Sequence, residues 1–193
     1  IGAALATGSD VAPAYPVPTT GADRRWLFPA GTRLEVTGRR AGMLEARLDS
    51  AESAWLEESL VALGGEAAPL PPPGPIAVVP AARWVDVRVP VSGAPFLITS
   101  EASTLSVSLY DLPRPLIDPV LSGDSLLAGA AWRADSIGGT VLDLRLSKPV
   151  WGYKAFYEAD GTLVLRVRRP PRIDASHPLS GVRIAVDAGH PPG

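Results

Sequence analysis

The sequence predicts a mainly β protein, and three observations carry that expectation. Proline (21) and glycine (19) punctuate the 193 residues every few positions, which interrupts helices and suits short strands joined by turns. Apolar residues recur with period two in stretches spread along the chain, the pattern of strands with one buried face. Turn pairs such as Gly138-Gly139 and Asp160-Gly161 stand between or before those stretches.

Residues 1–63 form the first expected module. Leu34 and Val36 alternate with Arg33 and Glu35, and Leu44, Ala46 and Leu48 with Glu45 and Arg47. Each reads as a half-buried strand, with Gly38-Arg39-Arg40-Ala41-Gly42 as the hairpin loop between them. From Ser50 to Leu63 two readings compete. Composition favours a helix capped by Ser50, whereas the preceding strands favour more strand. Residues 64–75, with Pro69-Leu70-Pro71-Pro72-Pro73 at their centre, read as a linker. Its proline half is expected to be extended, at about 3.1 Å per residue, and to act as a stiff spacer before it acts as a ligand for a proline-binding partner.

Residues 76–172 carry a denser strand pattern. Val85, Val87 and Val89 alternate with Asp86 and Arg88; Leu105, Val107 and Leu109 with Ser106 and Ser108. Leu142, Leu144 and Leu146 alternate with Asp143 and Arg145, and Leu163, Leu165 and Val167 with Val164, Arg166 and Arg168. Several short strands at this spacing argue for an antiparallel sandwich or barrel. Pro113, Pro115 and Pro119 mark a longer loop. Residues 173–193 change character. A loop leads into Val182, Ile184 and Val186, a short apolar strand that runs into Asp187-Ala188-Gly189-His190.

Bulk composition narrows the function. A net charge of −2, with no long run of one sign, gives no electrostatic case for nucleic acid or an anionic membrane surface. No stretch approaches 18 apolar residues, so no membrane span is expected. The absence of cysteine excludes disulfides, thiolate zinc sites and cysteine nucleophiles, and suits an exported protein. Ile1 to Thr7 are too short and uncharged for a signal peptide and start without Met, so a chain trimmed at its front is expected.

Few residues are candidates for chemistry. His190 would sit at the C-terminal end of its strand, where α/β sheets collect their sites, and from spacing alone it reads as a surface histidine on a tail before it reads as a metal ligand that Asp187 could orient. His177, between prolines, reads as incidental. Trp84, Trp132, Trp151, Tyr153 and Tyr157 are candidates for stacking on sugar faces. Trp84 and Trp55 are expected in the core. Trp151, Tyr153 and Tyr157 stay open between core and glycan contact, because rings so close along one strand cannot all face inward. Arg166, Arg168, Arg169 and Arg172 form a basic patch, expected to be a solvated strand face before a site for anionic wall polymers.

Arg183-Ile184-Ala185-Val186-Asp187-Ala188-Gly189-His190 resembles the first motif of zinc-dependent N-acetylmuramoyl-L-alanine amidases. That family usually continues with glycines, where this chain has Pro191-Pro192-Gly193. The stretches Thr104–Tyr110, Val141–Tyr153 and Gly161–Val167 resemble the amidase N-terminal (AMIN-type) β-sandwich, and residues 23–63 resemble a bacterial SH3-like module. The resemblance implies a small SH3-like barrel, an AMIN-like sandwich and the truncated start of an α/β catalytic domain. It also turns Ser50–Leu63 toward a turn and strand. It makes His190 the first zinc ligand and Asp187 its orienting partner. The remaining ligands and the catalytic glutamate would lie beyond residue 193, so no catalytic residue is expected in this chain and it is expected to be inactive alone. Peptidoglycan becomes the expected partner, with Trp151, Tyr153 and Tyr157 as glycan contacts, and the location periplasmic or secreted. Two other classes remain: a stand-alone wall-binding protein, and an unrelated β-rich structural protein.

Overall fold

The computed structural model describes residues 2–6, 11–64, 69–135, 139–172 and 174–180. The expected mainly β class holds: the described residues form antiparallel strands and a single 3-10 turn. The α/β start expected within residues 173–193 falls, from residue 181 on, outside the described residues.

The first module contains β1 (Gly2–Ala6), β2 (Val11–Ala14), β3 (Trp26–Pro29), β4 (Arg33–Arg40), β5 (Met43–Arg47), β6 (Ser53–Glu57) and β7 (Val61–Leu63). Five of them make one sheet in the order β6-β5-β4-β1-β7, while β2 and β3 pair as a separate ribbon. Ala12, Ala14, Trp26 and Phe28 of the ribbon are buried against Leu34, Leu44 and Leu56 of the sheet. The expected small barrel is not closed. The ribbon meets the sheet edge through one bridge, Tyr15 to Trp55, whose two backbone hydrogen bonds measure 2.9 and 2.8 Å. A ladder of one residue pair leaves the sheet open, with the ribbon lying over its core face.

Local sequence explains two departures in this module. Strand β4 runs on to Arg40, so the five-residue loop expected at 38–42 shrinks to Ala41-Gly42. Both turn residues have positive φ, 49° and 77°, the geometry of a two-residue hairpin whose twist matches its strands. A register shift between Val36 and Gly38 breaks the alternation and hides this extension from the sequence. Residues 50–63 form β6, the 3-10 turn Glu58–Leu60 and β7 instead of a helix.

The second module is a sandwich. Strands β8 (Ala77–Pro80), β9 (Trp84–Pro90), β14 (Tyr153–Tyr157) and β15 (Thr162–Arg168) form a sheet ordered β14-β15-β9-β8. Strands β10 (Phe96–Glu101), β11 (Thr104–Leu109), β12 (Leu127–Ala134) and β13 (Thr140–Leu146) form the other, ordered β10-β11-β13-β12. Val85, Val87 and Val89 meet Leu163, Leu165, Leu105, Val107, Leu142 and Leu144 in one buried cluster. The period-two residues of both sheets thus fill the space between them.

The two modules dock. Tyr110, just past β11, is buried in the first module's core, and Trp26 Nε1 donates to its hydroxyl at 2.9 Å. The Arg33 N–H donates to Gly93 O at 2.8 Å, and the Gly93 N–H to Gly161 O at 3.0 Å. The proline stretch is not a free spacer. Leu70 and Ile76 pack on the sandwich core, and the Gly74 N–H donates to Pro90 O at 2.9 Å. Its apolar side chains find buried area on the sandwich that an extended spacer in water would forgo.

Candidate glycan-binding surface

Strand β14 is an edge strand that follows a short segment fixed at two points. The Val150 N–H donates to Ala102 O at 2.9 Å, in the turn between β10 and β11. The Arg168 N–H donates to Gly152 O at 2.8 Å, at the end of β15. Between these anchors stands Trp151, 52% exposed. No ring or cation contact is made by its indole among the described residues. Tyr153, two residues on, is 41% exposed. Partial burial raises the pKa of its hydroxyl, which keeps the phenol neutral in ordinary buffers. A large ring held by backbone bonds and open to solvent loses little freedom when a flat apolar surface covers it.

Tyr157 is separated from these two. It lies at the far end of β14, where its hydroxyl donates to Ala94 O and its ring meets Phe96 edge-on at 5.9 Å and 70°. Gly31 of the first module approaches so closely that a Cβ there would sit 3.3 Å from Tyr157 Cβ. Burial holds its hydroxyl well above the ordinary tyrosine pKa. Of the three candidate rings, Trp151 and Tyr153 face solvent and Tyr157 belongs to the module junction.

The Ala102 anchor is also one wall of a shallow groove. Thr99, Ser100, Glu101, Thr104 and Ser106 line the rest of it, enclosing about 550 Å³. Ser106 Oγ donates to Asp143 Oδ1 at 2.6 Å, and Arg133 Nε to Asp143 Oδ2 at 2.6 Å. This outer face of β10 and β11 therefore presents hydroxyls beside the segment that carries Trp151. It also presents Glu101, a carboxylate with no ion-pair partner among the described residues. Motif reading misses the groove, although Thr104, Ser106 and Ser108 alternate with Leu105, Val107 and Leu109 and so have to face solvent.

Other expected residues are redistributed. Trp132 is buried in the sandwich core. Trp84 and Trp55 are half-buried on outer faces, contrary to the core placement expected from their size. Strand parity decides: Val85, Val87 and Val89 take the inner face of β9, as Ala54 and Leu56 do for β6. The basic patch divides. Arg166 makes two hydrogen bonds of 2.8 Å to Asp86, and its guanidinium lies 4.6 Å from the Trp84 ring centroid and 5.3 Å from that of Phe156. Arg169 pairs with Asp124 and covers its side chain, and that hydrogen-bonded pair lowers the Asp124 pKa. Arg168 and Arg172 are exposed.

No group of three His, Cys, Asp or Glu suited to a metal ion occurs among the described residues. His177 is exposed, with Nδ1 3.6 Å from Asp174 Oδ2. These residues do not fit a zinc centre, and no chemical step is assigned to one. His190 and Asp187 lie outside the described residues. Comparison with protein-family models, with curated proteins and with solved structures finds no match to this chain.

Proposed function

We propose that the two docked modules are the peptidoglycan-binding part of a cell-wall hydrolase of the N-acetylmuramoyl-L-alanine amidase type, acting in the periplasm or outside the cell. The observation that carries the binding role is Trp151: an exposed indole, fixed by backbone bonds on both sides, beside a groove of hydroxyls. A sugar ring has an apolar face that an indole can cover and hydroxyls that serine and threonine can satisfy. The amidase role rests on the resemblance of Asp187-Ala188-Gly189-His190 to the family's first zinc motif, with His190 as ligand and Asp187 orienting it.

Sedimentation with insoluble peptidoglycan tests the binding role. The protein is expected in the pellet, and Trp151→Ala or Tyr153→Ala to leave it in the supernatant with thermal unfolding unchanged. Undiminished pelleting of both variants would sink the assignment of this surface. Metal analysis of the full-length gene product tests the other half: bound zinc lost on His190→Ala supports the amidase reading. A full-length product that pellets with the wall and carries no zinc would instead be a non-catalytic wall-binding protein.

A further inference from the structure

The outer face of the β14-β15-β9 sheet begins where the Trp151 segment ends. Register places Arg168 directly opposite Trp84, and Arg166 opposite Asp86 on one side and Lys154 on the other. The Arg168 N–H is the group that fixes Gly152, next to both Trp151 and Tyr153. The acids on this face are already paired, Asp86 with Arg166 and Glu158 with Arg88. Lys154 and Arg168 are exposed and have no ion-pair partner among the described residues. One sheet end is therefore net positive in a chain whose net charge is −2.

We propose that Lys154 and Arg168, beside Trp84 and the Trp151 segment, form an anion-reading subsite that makes this surface selective for carboxylate-bearing saccharide over neutral glycan. The inference rests on the wall-binding reading and names the chemistry that reading leaves open. Lys154 stands opposite Arg166, and Arg168 follows Arg166 on the same face of β15. The two cations are thus diagonal neighbours on adjacent antiparallel strands, so both can face the same polymer. The Trp84–Arg166–Phe156 stack, with Arg166 locked by Asp86, keeps the third cation engaged and the face between them firm. Charge complementarity at a partly exposed rim gives selectivity and salt sensitivity more than raw affinity.

The test compares three polymers: purified peptidoglycan sacculi, soluble polygalacturonate and neutral chitin. Retention is expected on the first two and not on chitin, and raised salt should weaken it. The double variant Lys154→Gln/Arg168→Gln should bind the charged polymers about tenfold more weakly, with unfolding unchanged, because the Arg168 backbone bond to Gly152 is kept. Retention on sacculi and chitin alike, unaltered in the double variant, overturns the subsite and leaves the wall-binding reading standing. Retention on polygalacturonate through these cations but not on sacculi overturns the wall-binding reading and leaves the subsite standing. Retention on none of the three overturns both.

Discussion

Trp26 gives its indole N–H to the hydroxyl of Tyr110 across 2.9 Å, and the two residues are 84 positions apart in the chain. Both are nearly sealed from solvent, at 1% and 6% exposure. One ring comes from the ribbon of the first module and the other from the sandwich, so a single buried hydrogen bond joins two hydrophobic cores.

Replacing Tyr110 by Phe keeps the ring and deletes the acceptor. A buried donor left without a partner costs about 1–3 kcal/mol. Urea unfolding of Tyr110→Phe should show that loss. Adding Trp26→Phe should cost less than the sum of the two single changes, since neighbours sharing an interaction are not additive. An unchanged urea midpoint for Tyr110→Phe would remove this bond from the account of docking.

The same burial predicts alkaline weakness. It pushes the Tyr110 hydroxyl up to about 12, against the lowering effect of the Trp26 hydrogen bond. The neutral phenol is the form the fold prefers. Its contribution is complete below pH 10, the ordinary tyrosine value, and is lost as pH rises through the folded value. On the order of 2 kcal/mol should disappear between about pH 10 and pH 12. Tyr157 shifts in the same direction and adds to the slope. Tyr110→Phe should flatten the high-pH limb of a plot of stability against pH.

Acid acts elsewhere. Arg169 holds the Asp124 carboxylate below its ordinary pKa through their hydrogen-bonded pair, and the Asp124 side chain is 3% exposed. This contribution is present above pH about 4 and lost as pH falls through the depressed folded value. Removing the cation leaves the carboxylate without its charge-assisted hydrogen bonds, so Arg169→Ala should cost about 1 kcal/mol at neutral pH. The variant should also lose less stability on acidification than the parent does.

Two glycines with nearly the same positive φ should respond differently to alanine. Gly42 has φ 77° with nothing within 4 Å of the place a Cβ would take. Gly42→Ala therefore carries only the left-handed penalty, about 1–2 kcal/mol. Gly93 has φ 78°, and a Cβ there would stand 2.7 Å from Gly31 O, a backbone atom of the other module. Gly93→Ala should therefore lower the melting temperature clearly more than Gly42→Ala. Equal shifts would mean that the junction gives way at no cost.

Strands whose alternation is clean are legible from sequence: β5, β9, β11, β13 and β15 follow directly from their leucines and valines. Strand β12 is not, because its outer positions carry Gly129 and Ala131, whose small size blurs the contrast that period two needs. Strands β3 and β8, with 4 residues each, are too short to stand out. Size assigns Trp84 and Trp55 to the core, whereas the parity of their neighbours already points them outward. Trp151 and Tyr153 can be named as candidates, but the bonds from Val150 to Ala102 and from Arg168 to Gly152 join residues far apart in sequence. That pairing, and the groove beside it, needed the fold.

The junction has one more property. The amide of Arg33 and the amide of Gly93 are both held through the same loop, one by its carbonyl and one by its own N–H. The Arg33 bond crosses from one module to the other, whereas the Gly93 bond to Gly161 stays within the sandwich. Hydrogen exchange at Arg33 should then report the parting of the modules, and slower exchange at Gly93 would show that the loop keeps its place on the sandwich while they part.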